Sequence, residues 1–396
     1  MATDVLPIRD DEARDHAARR QQARVRNFDR DVCCVLGLPF DALTMTQAVA
    51  HVRQAAFANT RCFISTPNLN FLIGARSDRA FRDSVLHSDL SLADGMPLIW
   101  MARLLGLPLR ERVSGAGLFE CLMAHPGPPV TVFFFGGPDG VAATACENLN
   151  ARGGGLRCVG FESPGFGSLE SISDAERIAR INASGAQFVV VSLGAKKGQA
   201  WIERNAAQLT APVLCHLGAV VNFAAGAVQR APARLQGLGM EWLWRIKEEP
   251  ALLRRYATDG MHFMRLLCTR VLPDALAVRL APARPGADER PSLHTTVGTD
   301  GVTIDLAGAW DRTTLNPLRE ALSAAQATAL PVRVSIEKVT RADSALIALL
   351  MLAHTNPATG ARLRLRGASP HLARVFHRNG AEYLFIEPAA GEAGNG

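Results

Sequence analysis

The sequence predicts an α/β protein with two domains, a parallel sheet covered by helices and a second, smaller α/β domain. From Cys33 to about Cys215, short apolar runs bounded by turn residues alternate with helix-length amphipathic segments, a pattern typical of parallel sheets. A stretch rich in Pro, Ala, Gly and Arg ends this region, and a second alternation covers residues 293–387. A length of 396 residues agrees with two or three domains.

The elements of the first domain follow in chain order. Seven apolar runs are predicted as buried strands of the sheet: 33–36, 62–65, 90–92, 131–135, 156–160, 188–193 and 213–217. Between the second and third runs, residues 71–87 predict one helix, because Phe71, Ala75, Phe81 and Val85 share one broad face.

The second domain alternates strands and helices in the same way. Its predicted elements are strands at 302–306, 332–336 and 362–366 and helices at 317–327, 344–354 and 371–379. The expected division of the chain is a charged flexible tail at 1–30, a core at 31–240, an appendage at 241–278, a linker at 279–292 and the second domain at 293–390, with a mobile tail from 388.

Composition excludes several classes of protein. With 48% hydrophobic and 20% charged residues, the chain is neither globally disordered nor collagen-like. The 8 cysteines contain no C-x-x-C pair, so a zinc protein is not expected. The first 30 residues alternate charges without an apolar signal segment, and no apolar run approaches the ~18 residues needed to span a bilayer. The expectation is a cytoplasmic protein whose net charge of +6 favours anionic partners.

Polar groups follow two of the predicted strands. Thr66-Pro67-Asn68 ends the second run and Asp94-Gly95 follows the third. Ligands bind at the carboxyl ends of the strands in open α/β sheets, so these residues are candidates for a site. Aspartate followed by glycine is also ordinary turn chemistry, and position alone favours that alternative.

A glycine-rich turn, Gly136-Gly137-Pro138-Asp139-Gly140, leads from the fourth strand into a helix. Free backbone N–H groups at such a junction bind phosphate. The turn lacks the G-x-G-x-x-G spacing, which makes a dinucleotide site a weak hypothesis and leaves a pyrophosphate site open.

Taken in order, these and later motifs resemble the WecG/TagA/CpsF glycosyltransferase family over roughly residues 33–260. The matching blocks are Thr66-Pro67-Asn68, the segment from Ser88 to Gly95, Glu111-Arg112-Val113-Ser114-Gly115, Gly136-Gly137, the segment from Ala225 to Pro232, the segment from Gly239 to Arg245, Glu249-Pro250 and Arg255-Tyr256. The resemblance implies a Rossmann-like transferase domain. The resemblance is specific because many separate blocks match in the same order.

The resemblance also implies a chemistry. Such enzymes are inverting and metal-independent, need no cofactor, and move a sugar from a UDP-sugar to a polyprenyl-diphosphate-linked acceptor; N-acetylmannosaminyl, N-acetylmannosaminuronyl and glucosyl transfer all occur. Asp94 is then the general base, with Thr66 and Asn68 beside it in the catalytic set. The expected substrate-binding residues are Arg112, Gly136, Gly137, Gln199, Arg245 and Arg255.

The appendage at 241–278 mixes Trp, Arg, Lys and aliphatic residues, which suits a helix at a membrane interface. With the resemblance, this predicts peripheral association with the inner face of the plasma membrane. No nucleic acid partner is expected. A helix packed on the core with its basic face in water is the alternative.

The chain departs from the family pattern at three places. A gapless alignment of the G-x-P-x-Q-E-x-W block puts Gly198 at the family's Gln and Gln199 at its Glu, and a shift of one residue would let Gln199 serve instead. Asn222 replaces an acid, and Leu252 stands where an appendage arginine is common. These changes motivate a second function, a weakly active or inactive transferase-like adaptor. A third, a Rossmann-type oxidoreductase, is disfavoured by the missing glycine fingerprint.

The second domain resembles a STAS domain. The resemblance rests on the segment from Leu306 to Asp311 and on the one from Val339 to Leu350. It implies a regulatory module, with Ser344 as the regulatory residue and the helix at 344–354 as a face for a protein partner. A phosphate on Ser344 would be favoured by the helix N-terminus. The alternative is that Asp343 and Ser344 only cap the helix.

Overall fold

A computed structural model describes residues 27–165, 167–228, 231–232, 235, 239–248, 250, 252–280, 290–328, 330–354 and 363–385. Most of the predicted N-terminal tail, most of the predicted linker and the predicted mobile C-terminal tail lie outside the described residues.

The described strands fall into three sheets. They are β1 (Val32–Val35), β2 (Leu38–Asp41), β3 (Cys62–Ser65), β4 (Leu90–Ser91), β5 (Val130–Gly136), β6 (Leu156–Glu162), β7 (Phe188–Ser192), β8 (Val213–His216), β9 (Ser292–Gly298), β10 (Gly301–Trp310), β11 (Val332–Ala342) and β12 (Arg364–Arg366).

The described α-helices surround these sheets. They are α1 (Met45–Ala58), α2 (Leu69–Ser77), α3 (Arg79–Leu86), α4 (Met96–Leu104), α5 (Gly115–Met123), α6 (Val141–Arg152), α7 (Ala175–Ala183), α8 (Ala195–Asn205), α9 (Val220–Ala224), α10 (Glu241–Glu248), α11 (Leu252–Leu266), α12 (Leu272–Leu280), α13 (Asn316–Ala327), α14 (Ser344–His354) and α15 (Pro370–Arg378).

The first domain is a three-layer structure around a six-stranded parallel sheet with strand order β4-β3-β8-β7-β5-β6. One face of the sheet packs against α1, α5, α6 and α9, and the other against α7 and α8. The strands are apolar on both faces because helices cover both. The predicted parallel sheet is therefore confirmed for six of the seven runs.

The first predicted strand is the exception. Residues 32–35 form an antiparallel hairpin with β2 instead of joining the parallel sheet. The connection has two residues, Leu36 and Gly37, with φ of +47° and +97°. Positive φ at both central positions suits the twist of a tight hairpin. An apolar run alone does not reveal that its partner is the next run along the chain.

The single helix predicted at 71–87 is two helices. Asp78 is extended, with φ −120° and ψ 104°, so its N–H ends α2 while its carboxylate accepts from the Phe81 N–H at 3.0 Å and caps α3. Aspartate is a strong N-cap residue, and here that local preference overrides the continuous apolar face.

The predicted flexible tail also ends earlier than expected. Phe28 is 4% exposed and packs in a core, and the buried Arg30 guanidinium donates to the Asp41 carboxylate at 2.7 Å. A buried ion pair of this kind needs a fixed backbone, so residues from Phe28 onward belong to the folded protein.

The second domain is a four-stranded sheet with order β12-β11-β10-β9, covered by α13, α14 and α15. The predicted strands and helices are all present within the described residues. The sequence analysis missed β9, an antiparallel edge strand with mostly exposed side chains. It was missed because an exposed edge strand lacks the apolar pattern that marks buried ones.

The appendage joins the two domains. It consists of α10, α11, a π-helical turn at Leu267–Val271 and α12. Within the described part of the chain, no helix is long and apolar enough to cross a membrane.

Cys146 of α6 and Cys158 of β6 form a disulfide, which the cysteine spacing did not predict.

Candidate active site

Asp94 lies at the carboxyl edge of the parallel sheet, three residues beyond β4. Its backbone N–H donates to the Pro67 carbonyl at 2.9 Å, and its Oδ2 accepts from the Gly115 N–H at 3.3 Å. Gly115 begins α5, so its N–H is one of the donors that a helix start leaves unpaired. The carboxylate is thus held between the loop after β3 and a helix N-terminus.

Thr66 and Asn68, predicted from the end of β3, are brought to Asp94. A Cβ at Gly115 would lie 3.3 Å from the Thr66 hydroxyl, and a Cβ at Gly95 would lie 3.8 Å from the Cβ of Asn68. Asn68 also caps α2, accepting from the Phe71 N–H at 3.1 Å through Oδ1. Glycine is required at 115 because Leu217 and Thr66 already occupy the space that a side chain there would need.

The protein environment raises the pKa of Asp94 to about 6. Desolvation by the surrounding protein is the main cause, and the Arg112 charge and the Gly115 N–H oppose it. Glu241 raises the pKa further and Arg245 lowers it. A carboxylate with a pKa near the working pH is ionised at neutral pH and still basic enough to take a proton, which is the requirement for a general base.

Arg112, predicted as a substrate ligand, forms an ion pair with Glu241 of α10 at 3.0 Å. Both side chains are less than one fifth exposed. The pair ties the start of the appendage to the Asp94 edge. No role was predicted for Glu241; the available signal was an acid in the segment from Gly239 to Arg245, which otherwise supplies aromatic and basic groups.

Arg245 and Arg255, the other predicted arginines, lie on the appendage in different settings. Arg245 is partly buried, with its guanidinium 5.8 Å from the centre of the Phe223 ring, and its charge acts on Asp94. Arg255 is exposed and lies over Tyr256 of its own helix. The structure therefore brings Arg245 to the candidate site, whereas Arg255 as a substrate ligand stays a prediction.

The glycine-rich turn after β5 lies on the same edge of the sheet, four strands from β4. Gly136 and Gly137 have φ of +105° and +89°, and the Gly137 N–H donates to the Ser192 carbonyl at 2.9 Å. A Cβ at Gly136 would come within 2.8 Å of the Ser192 carbonyl carbon. Gly140 precedes α6 as its N-cap residue and provides no side-chain cap, which leaves a helix N-terminus suited to an anion.

Gln199, predicted as a substrate ligand, is 1% exposed and lies on α8. Its Nε2 donates to the Ser65 hydroxyl at 2.8 Å, and its Oε1 has no hydrogen-bond partner among the described residues. Gln199 as a ligand therefore stays a prediction, and its observed contact is with the end of β3.

His216 was not predicted as a functional residue, and its position accounts for the absence of a side chain at Gly198. A Cβ at Gly198 would lie 2.8 Å from Cγ of the His216 ring, so the imidazole occupies the space of a side chain at 198. The His216 Nε2 has no hydrogen-bond partner within the described chain, and burial lowers the pKa of His216 to about 4. The ring is thus neutral at pH 7. A histidine at the end of a buried apolar strand was the available signal.

Two further predicted positions lie elsewhere. Asn222 is partly buried on α9, and its predicted effect on activity stays a prediction. Ser344 begins α14 in the second domain and is not brought to the Asp94 edge. Asp343 caps α14 by accepting from the Ala345 and Leu346 N–H groups, each at 2.9 Å. Among the residues that the structure describes, no cluster of His, Cys, Asp and Glu is arranged to hold a metal ion.

Comparison with known proteins agrees with this architecture. The model of the glycosyl transferase WecG/TagA/CpsF family matches residues 33–275, and a STAS domain model (Mlab, STAS domain) matches residues 294–386.

Two similar proteins carry the name N-acetylglucosaminyldiphosphoundecaprenol N-acetyl-beta-D-mannosaminyltransferase. The one from Bacillus spizizenii is 27% identical over 221 residues, which cover 55% of this chain and 84% of the relative. One from Staphylococcus aureus is 28% identical over 215 residues, which cover 53% and 82%. The chain belongs to the glycosyl transferase WecG/TagA/CpsF family and joins its transferase domain to a STAS domain.

Proposed function

We propose that this protein is an inverting, metal-independent transferase that moves a sugar from a UDP-sugar to a polyprenyl-diphosphate-linked acceptor. The observation that carries the proposal is Asp94, a carboxylate with a raised pKa held at the carboxyl edge of the sheet between Pro67 and Gly115. No cofactor takes part, and nucleic acid is not a substrate.

In the proposed reaction, Asp94 accepts the proton of the acceptor hydroxyl while the hydroxyl oxygen attacks the anomeric carbon of the donor sugar. The bond from that carbon to the UDP oxygen breaks on the opposite face, so the configuration at the carbon inverts. Thr66 and Asn68 line the same corner and orient the acceptor. Holding both reactants at this corner supplies much of the rate enhancement, because a bimolecular step becomes an intramolecular one.

Negative charge develops on the departing diphosphate and needs a positive partner. Arg245 supplies it at the Asp94 end, where its charge already acts on the carboxylate. Arg112 contributes once the diphosphate competes with Glu241 for it. Gly136 and Gly137 bind the nucleoside end of the donor, about 19 Å along the edge, because four strand spacings separate β4 from β5.

The names of the relatives favour one donor and one acceptor. Both describe transfer of N-acetylmannosamine to N-acetylglucosaminyldiphosphoundecaprenol. We assign the same substrate class here, within cell-envelope polysaccharide synthesis at the inner face of the plasma membrane. N-acetylmannosaminuronic acid and glucose are the other donor sugars to be tested.

The appendage supports the membrane part of the proposal. Apolar side chains recur every three or four residues along α11, the π-turn and α12 and are exposed: Met261, Met264, Cys268, Leu272, Leu276 and Leu280. Met261 and Leu280 are 67% and 76% exposed. Basic residues flank this stripe, as in helices that lie in the headgroup region of a bilayer.

The test of the reaction uses the purified full chain with UDP-N-acetylmannosamine and a short-chain polyprenyl-diphosphate N-acetylglucosamine. The expected product is the β-linked disaccharide lipid, identified by mass spectrometry and NMR, formed equally with EDTA present. Hydrolysis of the donor without transfer would support the adaptor instead, and binding of NAD in place of UDP would support the oxidoreductase.

Membrane association is tested with Met261→Glu/Leu276→Glu. We expect this variant to lose sedimentation with vesicles of phosphatidylglycerol and phosphatidylethanolamine, because each substitution puts a charge on the helix face that is proposed to enter the bilayer. Val297→Glu is the matched control, since Val297 is also 65% exposed but lies on β9. Equal binding by both variants would contradict the placement.

A regulatory role for the STAS domain and for Ser344 is also part of the proposal. Ser344 is partly buried beside Asp343, whose Oδ2 accepts from the Arg312 N–H at 2.9 Å. The Arg312 guanidinium pairs with Asp31, just before β1. A phosphate on Ser344 would compete with Asp31 for this arginine. A phosphomimetic Ser344→Asp that leaves activity unchanged would remove Ser344 from the regulatory assignment.

A further inference from the structure

The hairpin of β1 and β2 is shared between the two domains. Val32 and Cys34 pack in one core with the STAS helices, whereas Cys33 and Val35 pack in a core of the transferase. Successive side chains of a strand point to opposite faces, so a single strand serves both cores. The STAS domain is therefore docked on the transferase through buried apolar side chains.

This docking uses the helix that was predicted to face an outside partner. All residues of α14 from Ala345 to Leu352 are 3% exposed or less. The strands β1 and β2 pack directly on this helix. Among the described residues, the partner of α14 is thus the transferase domain of the same chain.

Two glycines let the domains approach at backbone distance. A Cβ at Gly380 of the STAS domain would lie 2.8 Å from the Leu36 carbonyl carbon, and one at Gly37 would lie 2.7 Å from the Gly380 carbonyl oxygen. The Tyr383 hydroxyl donates to the Gly37 carbonyl at 3.2 Å. Arg82 of α3 lies over the Tyr383 ring, 3.9 Å from its centre.

The same STAS segment contacts the appendage. Arg270, in the π-turn, donates to the His377 carbonyl and pairs with Glu382 at 3.2 Å. Four residues later, Asp274 accepts from Asn379 at 3.4 Å. Residues 377–383 thus contact the hairpin on one side and the appendage on the other.

The part of the appendage from α11 to α12 transmits such a contact because it is one continuous helical element. From Leu252 to Leu280 it runs without a break through the π-turn, which at 1.5 Å per residue corresponds to about 43 Å. Leu266 and Val271 bury its middle against the transferase core. A contact that holds it at the π-turn therefore limits the angle at which its exposed apolar stripe lies.

We propose that the STAS domain is an internal brace, whose segment 377–383 fixes the appendage to the hairpin and so sets how the enzyme presents its cleft to a lipid-linked acceptor. This inference rests on the proposed function for its acceptor. The brace is a positioning device, because none of its residues touches the reacting atoms. Its partner is the transferase of the same chain.

The first test is Gly380→Ala in the full chain, with Gly185→Ala as the matched control. Both glycines have nearly the same positive φ, +69° and +65°, but a Cβ at Gly185 meets no atom within 4 Å. Backbone strain is therefore equal, and only Gly380→Ala pushes the domains apart. We expect hydrogen exchange in α12 to become at least about tenfold faster in Gly380→Ala relative to the control.

The second test leaves the glycine contact intact. Arg270→Gln removes the appendage contact to Glu382, and Arg265→Gln removes the same charge from an exposed position one turn earlier. We expect Arg270→Gln to raise KM for the acceptor in vesicles by about tenfold. Turnover with a short-chain acceptor in solution should match that of Arg265→Gln.

The outcomes separate the brace from the enzyme activity. Equal exchange in Gly380→Ala and Gly185→Ala, or equal vesicle KM in the two arginine variants, would overturn the brace. If the unmodified protein transfers no sugar, the proposed function fails, and the exchange comparison still decides whether the STAS domain holds the appendage.

Discussion

Two ion pairs between an arginine and a glutamate hold the appendage, one at its start and one at its middle, and their neighbours differ. Arg112 and Glu241 form the pair at the start of α10, where both charges act on the pKa of Asp94. Arg270 and Glu382 form the pair at the π-turn in the middle, where the arginine also donates to the His377 carbonyl. The same type of ion pair thus acts on the charge of Asp94 at the first place and on the position of the appendage at the second.

The difference teaches which property each ion pair is expected to control. A change at the Arg112 and Glu241 pair alters the protonation of Asp94, the proposed general base, so we expect its effect in turnover and in pH dependence. A change at the Arg270 and Glu382 pair alters only how the appendage is held, so we expect its effect in the use of the proposed membrane acceptor. The expected effects below are ordered by size.

The largest effect is expected from Asp94→Asn. Loss of a positioned general base costs about 10²–10⁴-fold in rate, so kcat should fall by this factor while the fold survives. Steady-state transfer and a thermal unfolding curve measure the two properties. Near-normal transfer would show that Asp94 is not the base. The Arg112 and Glu241 pair would then have no catalytic role that distinguishes it from the Arg270 and Glu382 pair.

The pH profile should show the ionisation of Asp94. Its pKa is raised to about 6, and only the ionised form accepts a proton. We expect kcat/KM to fall below about pH 6, approaching tenfold per pH unit on the acid side. Arg270→Gln should leave this profile in place, since Arg270 does not act on Asp94. A profile that stays flat between pH 5 and 7 would contradict the assignment.

Gly198→Gln should destabilise the protein, because the new side chain would enter the space of the His216 ring. Overpacking of a buried site typically costs about 1–3 kcal/mol in free energy of unfolding. The double variant Gly198→Gln/His216→Ser should recover part of this loss in chemical denaturation. Without any recovery, the two positions are not a compensating pair.

The smallest and most specific effect separates the members of the Arg112 and Glu241 pair. Glu241 raises the pKa of Asp94 and Arg112 lowers it. Glu241→Gln should therefore move the acid side of the pH profile to lower pH, and Arg112→Gln should move it to higher pH. Glu382→Gln serves as the control and should move neither. Shifts in the same direction would contradict the electrostatic role of the pair.

Much of the fold and of the site could be predicted from local patterns. Six of the strands of the parallel sheet, the main elements of the second domain and the corner of Thr66, Asn68 and Asp94 follow from short apolar runs and turn residues. Neighbouring parallel strands place their carboxyl ends on one edge of the sheet, so the residues that follow β3 and β4 lie close together.

Two of the features that were missed depend on a local competition between patterns, and two depend on contacts between distant parts of the chain. Asp78 divides one predicted helix because its capping bonds outweigh a continuous apolar face. Leu36 and Gly37 turn β1 back on β2, so a run that looks like a sheet strand forms a hairpin instead. Neither the His216 ring beside Gly198 nor Glu241 beside Arg112 can be read from spacing, because no local rule links such positions.

By itself, the sequence determined the fold class and the two domains, because periodicity and turn chemistry act over a few residues, and its motif blocks identified the family and singled out Asp94. Only the tertiary structure decided that β1 serves two cores, that α14 is covered by its own chain and that the STAS domain reaches the appendage through Arg270. These contacts join residues more than 100 positions apart. They depend on how finished elements pack, and the apolar face that α14 shows in the sequence is the same whether its partner is an outside protein or the β1 hairpin.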